Sequence, residues 1–159
     1  MAVDMFLKLE GIKGEAQDKT HKDEIDVLAW SWGISNSGSS HMGGGSGSGK
    51  ANFQDISVTK YVDFSSTFLM TACATGKHIA EANLVVRKAG ENPLEYIKMT
   101  LKDCLITSVS TGGSGGEDRL TENLSINFAK VNVVYVPQSE KGGGAGNAPF
   151  NYDIKANSV

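Results

Sequence analysis

The stretch LTENLSINFAKVNVVYV, Leu120 to Val136, decides the fold class. Leu124, Ile126 and Phe128 share one parity, and Val131, Val133 and Tyr135 share the other. Alternation of this kind is the signature of a strand with one buried face, because successive side chains leave a strand on opposite sides. A one-residue slip would turn the core face to solvent. The change of parity therefore predicts a β-bulge near Ala129-Lys130, where one extra residue restores the inward face.

The same alternation extends outward in both directions. It predicts strands over Met5–Glu10, from Ile25 to about Trp32, over Phe53–Tyr61, and through Ala80, Ala82, Leu84 and Val86. In the second, Ile25, Val27 and Ala29 alternate with Asp26, Leu28 and Trp30. In the third, Ile56 and Val58 face one way and Ser57 and Thr59 the other. Ile97, Met99 and Leu101 continue the pattern, followed by Leu105, Thr107 and Val109. One segment departs from it. Phe68, Leu69, Ala72 and Cys73 recur at helical spacing, Ser65 and Ser66 stand as caps, and Gly76-Lys77 forms the stop. The expectation is a mainly β chain of about eight strands. They form a compact antiparallel β-barrel or two packed sheets, with one short α-helix (residues 63–76) beside them. Phe150–Val159 reads as either a last strand or a mobile end.

Between the second and third strands, residues 33–50 are glycine or serine except for Ile34, Asn36, His41, Met42 and Lys50. This is a long glycine-rich extended loop, and ordering it costs backbone entropy. Further glycine-rich stretches lie at Thr111–Gly116 and Gly142–Pro149. Together the three stretches hold 15 of the 19 glycines.

The chain has 159 residues, which suits a single domain, with 40% hydrophobic and 21% charged residues. Fifteen basic and 18 acidic residues give a formal charge of −3 with no basic run, which argues against nucleic acid as a partner. Cys73 and Cys104 match no disulfide framework, zinc or redox spacing and read as buried thiols. No apolar stretch approaches a membrane span, and Met1–Phe6 has no signal-peptide pattern.

Several motifs imitate chemistry. Gly44–Lys50 has the glycine and lysine spacing of a phosphate-binding loop. That motif needs a hydroxyl next, for magnesium, and a helix start to aim amides at phosphate. Ala51 supplies no hydroxyl, and the following residues alternate as a strand. In Gly112–Asp118 the adjacent acids point to opposite faces, so a tight turn with a solvated acidic pair is expected rather than an anion or metal site. His21, His41 and His78 share no ligand spacing and read as solvated loop residues. No serine stands in a nucleophile elbow. No catalytic, cofactor or metal constellation is expected. Trp30-Ser31-Trp32 places two indoles on one face and Ser31 on the other. Either the tryptophans are core with a surface serine, or Ser31 lies on a lining surface that meets cargo.

The residues resemble one family. Met1–Phe6, the run DKTHKDEIDVLAWSWG (Asp18–Gly33), Thr59-Lys60-Tyr61, Gly76-Lys77-His78 and SVSTGGSGGEDRLTENLSINF (Ser108–Phe128) are similar to the haemolysin-coregulated (Hcp) proteins of type VI secretion. The likeness covers residues 1–135, and its most specific part is STGGSGGEDRLTEN. Family members commonly carry a glycine-tryptophan pair near the last strand, where this chain has Asn151-Tyr152. The resemblance implies a subunit that forms homohexameric rings, which stack into a tube inside a contractile sheath. Partners would be copies of itself, sheath, spike and baseplate proteins, and effectors carried in the lumen. It implies no cofactor, and export through the machine after synthesis in the cytoplasm. On this view Ser31 is a lumen candidate. Ser37, His41, Met42, Gly43, Gly44, Gly45 and Lys50 belong either to a disordered loop or to a hairpin-like arm that orders against the next ring. A monomeric carbohydrate- or ligand-binding β-sandwich is the rival reading and would run as one subunit.

Overall fold

The computed structural model describes residues 3–38, 50–90, 93–138 and 146–159. Its elements in order are β1 (Val3–Leu9), β2 (Ile25–Ser31), β3 (Ile34–Asn36), β4 (Ala51–Phe53), β5 (Ile56–Tyr61), α1 (Ser66–Thr75), β6 (Ile79–Lys88), β7 (Glu95–Thr111), β8 (Thr121–Asn127), β9 (Lys130–Tyr135) and β10 (Ala148–Asp153). The sheet runs β10-β9-β7-β6-β1-β2-β5-β8, and β8 pairs again with β7. That second pairing closes β7, β6, β1, β2, β5 and β8 into a six-stranded antiparallel barrel. Closure removes the open edges that a flat sheet would expose. β9 and β10 extend the wall from the first half of β7, while β3 and β4 form a separate two-stranded ladder.

Leu7, Ile25, Ile56, Leu84, Met99, Leu101, Leu124 and Ile126 fill the interior at 1% exposure or less. Each such side chain contributes roughly 1.5–3 kcal/mol relative to exposure. The barrel and the helix are as the periodicity predicts, but the expected single long strand is not. Leu120–Val136 breaks at Phe128-Ala129 into β8 and β9 instead of bulging at Ala129-Lys130. Both pieces pair with the 17-residue β7, β8 along Leu105–Thr111 and β9 along Ile97–Lys102.

The inward parity changes on three neighbouring strands at once. On β7 it passes from Met99 and Leu101 to Cys104 and Ile106, on β6 from Ile79 to Ala82, and across the break from Phe128 to Val131. The wall turns a corner there, and Asp103, with φ 55°, carries the left-handed backbone of the turn. The expected inward set of Leu105 and Thr107 is therefore wrong, as is Ala80. All three are exposed, and Cys104, Ile106 and Ile79 occupy the core.

α1 packs against β7 through Leu69 and Ala72. Its stop is as expected. Gly76 adopts φ 64°, its N–H donates to the Cys73 carbonyl, and the Lys77 N–H donates to the Ala72 carbonyl at 3.0 Å. Its start differs. Neither serine caps the helix. The Ser65 hydroxyl donates to the Asp63 carboxylate, and Ser66 Oγ accepts from the Asp63 N–H at 2.9 Å and donates to Glu122. Gly14 is required by close approach, since a Cβ there would lie 2.5 Å from the Glu24 carbonyl oxygen.

Candidate functional site

One outer wall of the barrel is built from β2, β5, β8 and the second half of β7. Register places Ser31 opposite Ser57, Ser57 opposite Ser125, and Ser125 opposite Ser108. The neighbouring rung is Ala29, Thr59, Asn123 and Ser110. These residues alternate with buried Ile56, Val58, Leu124 and Ile126, so they face away from the core. None of the eight is charged. Ser108 and Ser125 share a hydrogen bond of 2.6 Å, Thr107 bonds Ser125 at 2.7 Å, and Thr59 donates to the Asn123 side-chain oxygen at 2.6 Å. The Asp55 carboxylate at one end of the wall accepts from Thr107 at 2.7 Å and Asn127 at 2.9 Å.

Two register shifts bracket this wall, one between Val27 and Ala29 on β2 and one between Ile106 and Ser108 on β7. The first corrects the expected alternation of β2. Ile25 and Val27 point inward, the extra residue leaves Leu28 and Ala29 both exposed, and Trp30 then turns toward the core. Ser31 is exposed, and Trp32, like Trp30, packs against the core. Sequence reading singled out Ser31 but not Ser57, Ser108 or Ser125. Parity sets Ser57 on the face opposite Ile56 and Val58, yet uniting the row requires the strand order β2-β5-β8-β7, which lies outside any local pattern.

Residues 33–50 are not wholly irregular. Ile34 pairs with Phe53, Ser35 with Asn52 and Asn36 with Ala51, so the segment opens as an antiparallel arm. Ser37 and Lys50 are exposed just beyond its last rung. His41, Met42, Gly43, Gly44 and Gly45 lie outside the described residues, as do the other glycines and serines of the phosphate-loop-like run before Lys50. After Lys50 comes strand β4, not a helix. The arm base rests on aromatic contacts. The Trp32 indole N–H donates to the Gln54 carbonyl at 2.9 Å, and the Gln54 N–H donates to the Gly33 carbonyl at 3.0 Å. Phe53 lies 6.3 Å from Trp32 and 4.8 Å from Tyr152 on β10, so Phe150–Val159 begins as a strand.

Charged groups are gathered elsewhere. Lys60 and Glu122 face each other across β5 and β8, fully buried, with a direct ion pair. Lys60 Nζ also lies 3.0 Å from Asp63, and Ser66 donates to Glu122 at 2.6 Å. Parity offered a signal here, because Lys60 continues the inward stripe of Ile56 and Val58, and Glu122 that of Leu124 and Ile126. His21 is not solvated as expected. It is 7% exposed, stacked on Phe6 at 4.6 Å, with its ring nitrogens 2.9 Å from Glu24 and 2.7 Å from Glu95. Burial alone would raise the Glu95 carboxyl, but hydrogen bonds from His21 and Lys98 outweigh it and lower its pKa. Arg87 lies over the Phe6 ring and pairs with Asp18, whose carboxyl it draws down to about 2. His78 meets Asp103 at 3.2 Å. Burial pushes the Cys104 thiol up to about 12, which keeps it protonated and unreactive, while Cys73 is half-buried. Among the described residues no group of His, Cys, Asp and Glu is arranged to hold a metal ion, and no helix is long and apolar enough to cross a membrane.

Comparison with known proteins agrees with this architecture. Residues 6–135 match the family described as "Type VI secretion system effector, Hcp". The chain is 59% identical to Protein hcp1 of Pseudomonas aeruginosa, over 99% of this chain and 98% of that protein. It is similar to the crystal structure of Hcp1 from Salmonella typhimurium, with a TM-score of 0.82, 38% identity and 99% of both chains covered. It is also similar to a structure described as a type six secretion system protein, with a TM-score of 0.93, 28% identity and 99% of both chains covered. The chain belongs to the Hcp family of type VI secretion proteins.

Proposed function

We propose that this protein is a structural subunit of the type VI inner tube, acting by assembly and not by catalysis. Six copies close into a ring through a head-to-tail interface, in which one patch meets a different patch on the next copy. Rings stack head-to-tail, the contracting sheath drives the tube out of the cell, and effectors travel in or are stabilised by the lumen. Its partners are further copies of itself, sheath, spike and baseplate proteins, and effectors, with no nucleic acid, membrane or cofactor. The protein stays in the cytoplasm until it is exported through the machine.

The observation that carries this reading is the uncharged hydroxyl wall running through Ser31. A surface of serine, threonine and asparagine offers donors and acceptors to a passing polypeptide without the strong field of a charged lining. It suits a lumen that holds many cargoes and releases them. The arm suits the seam between rings, where Ser37, His41, Met42, Gly43, Gly44, Gly45 and Lys50 would meet the next copy. Native mass measurement at micromolar concentration tests the ring. Six subunits are expected, and a stable monomer would overturn the proposal in favour of a ligand-binding β-sandwich. Replacing residues 37–47 by a two-residue turn tests the seam. Hexamers should persist while tubes seen by electron microscopy shorten, whereas loss of the hexamer would place the loop in the lateral interface.

A further inference from the structure

The arm ladder has three rungs, and every residue of β3 is exposed. An isolated two-stranded ladder of this length is marginal in water. Its direction must therefore be set where it leaves the barrel. There Phe53 is caught between Trp32, which itself packs 6.2 Å from buried Phe128, and Tyr152. Tyr152 is held in turn. Its hydroxyl donates to the Asn157 side-chain oxygen at 2.7 Å. Asn157 takes a left-handed backbone, φ 54°, inside a closed turn. That turn is fastened by reciprocal bonds between Asp153 and Ser158, at 2.8 and 3.2 Å, and docked on the barrel by the Ile154 N–H bonding to the Ala129 carbonyl at 2.8 Å.

We infer that Tyr152, buttressed by Asn157, is the positioning residue of the arm: the turn at residues 153–158 is a clasp that fixes the direction in which β3 and β4 leave the barrel. Trp32 tethers the arm from the barrel side, and Tyr152 closes the other side of Phe53. The clasp stands on its own geometry. Its consequence for tubes rests on the proposed role of the arm in stacking.

Amide hydrogen exchange on the full-length protein separates the two. Tyr152→Ser should leave the hexamer intact by native mass. It should speed exchange at Ile34–Asn36 and Ala51–Phe53 on the order of tenfold, leave β5 and β8 unchanged, and shorten tubes. Tyr152→Phe keeps the ring against Phe53 and should recover most of the protection. Asn157→Gly allows the left-handed backbone, removes the side-chain amide that accepts from Tyr152, and should give a smaller rise at the same amides; it serves as the test if Tyr152→Ser fails to fold. Unchanged exchange in the arm for Tyr152→Ser and Asn157→Gly, or a rise spread evenly over the barrel, would overturn the clasp. Faster exchange confined to the arm with tubes of normal length would uphold the clasp and overturn the stacking role of the arm.

Discussion

The barrel wall and the arm are both antiparallel ladders, yet they are held by opposite means. Along β5 and β8 each second rung points into the core, Ile56 with Ile126, Val58 with Leu124, and finally Lys60 with Glu122. The arm has no interior of its own, and at its base it is held by the ring contacts of Phe53 with Trp32 and Tyr152 and by hydrogen bonds through Gln54. Burial fixes a strand along its whole length, whereas an end contact fixes only a direction. The wall thus serves as a rigid frame, and the arm as a part whose placement can be changed without unfolding the frame. Substitutions in the two regions should accordingly separate stability from assembly.

The largest effect is expected at the buried ion pair. Glu122→Ala removes one of the two carboxylates paired with the buried Lys60 ammonium and leaves Asp63 at 3.0 Å, at a cost of up to about 3 kcal/mol, the lower end for breaking a buried pair. Replacing both partners, Lys60→Met with Glu122→Leu, should restore much of the loss, because the desolvation of two charges is then removed along with their attraction. Urea unfolding of the two variants measures the difference. Equal losses would mean that the pair, not the stranded charge, supplies the stability.

This contrast also marks how far the sequence could be read. Strand and helix types follow from local period, and Leu124-Ile126-Phe128 against Val131-Val133 correctly located a break in parity. What caused the break was not local. β7 and β6 turn the same corner at Asp103 and between Ile79 and Ala82, so a fault expected on one strand is a bend of three. Ser31 was visible from its flanking tryptophans, but its neighbours Ser57, Ser125 and Ser108 become one surface only through strand order. Lys60 lies on the inward parity of Ile56 and Val58, a position that lysine takes only when it is paired. The two strands at the base of the arm, Ile34–Asn36 and Ala51–Phe53, are too short to show a period, so the hairpin-like arm had no support from alternation.

Arg87 draws the Asp18 carboxyl from 3.8 to about 2. A carboxyl whose folded pKa is depressed stabilises the fold above its unfolded pKa and loses that contribution as pH falls through the folded value. The difference in urea midpoint between the wild type and Asp18→Asn should therefore be full above about pH 4 and shrink toward pH 2. A difference independent of pH across that window would show that Asp18 acts by packing or neutral hydrogen bonding. The arm should not respond to this titration, as neither residue touches it.

Ser31→Gln should do less to the fold and more to function. Ser31 is exposed on an uncharged wall, so a longer neutral side chain finds room there, and the stability change should fall within about 0.5 kcal/mol. The hexamer should remain, while retention of a co-expressed effector changes because the added amide projects from the wall. Loss of folding would mean that Ser31 is packed by a neighbour in the assembled ring. Unaltered retention would remove Ser31 from the cargo surface and leave the rest of the row to be tested.

The smallest expected effect is none, and it tests the arm against its most tempting alternative. Lys50 closes a run with the spacing of a phosphate-binding loop. In such a loop the lysine is followed by a hydroxyl residue and by a helix whose first amides, free of internal partners, converge on phosphate. Here Ala51 follows, and its strand exchanges pairing with β3, Asn36 opposite Ala51 and Ser35 opposite Asn52. Backbone groups committed to a ladder cannot also converge on an anion, and Lys50 stands exposed just beyond the last rung. Calorimetry with magnesium and ATP should be flat for the wild type and for Lys50→Ala alike. If micromolar binding appeared and vanished in the variant, the arm would be a nucleotide site and its part in the ring seam would need another explanation. If binding is absent but Lys50→Ala shortens tubes, the lysine acts at the seam as a charge, in line with the position it holds at the edge of the ladder.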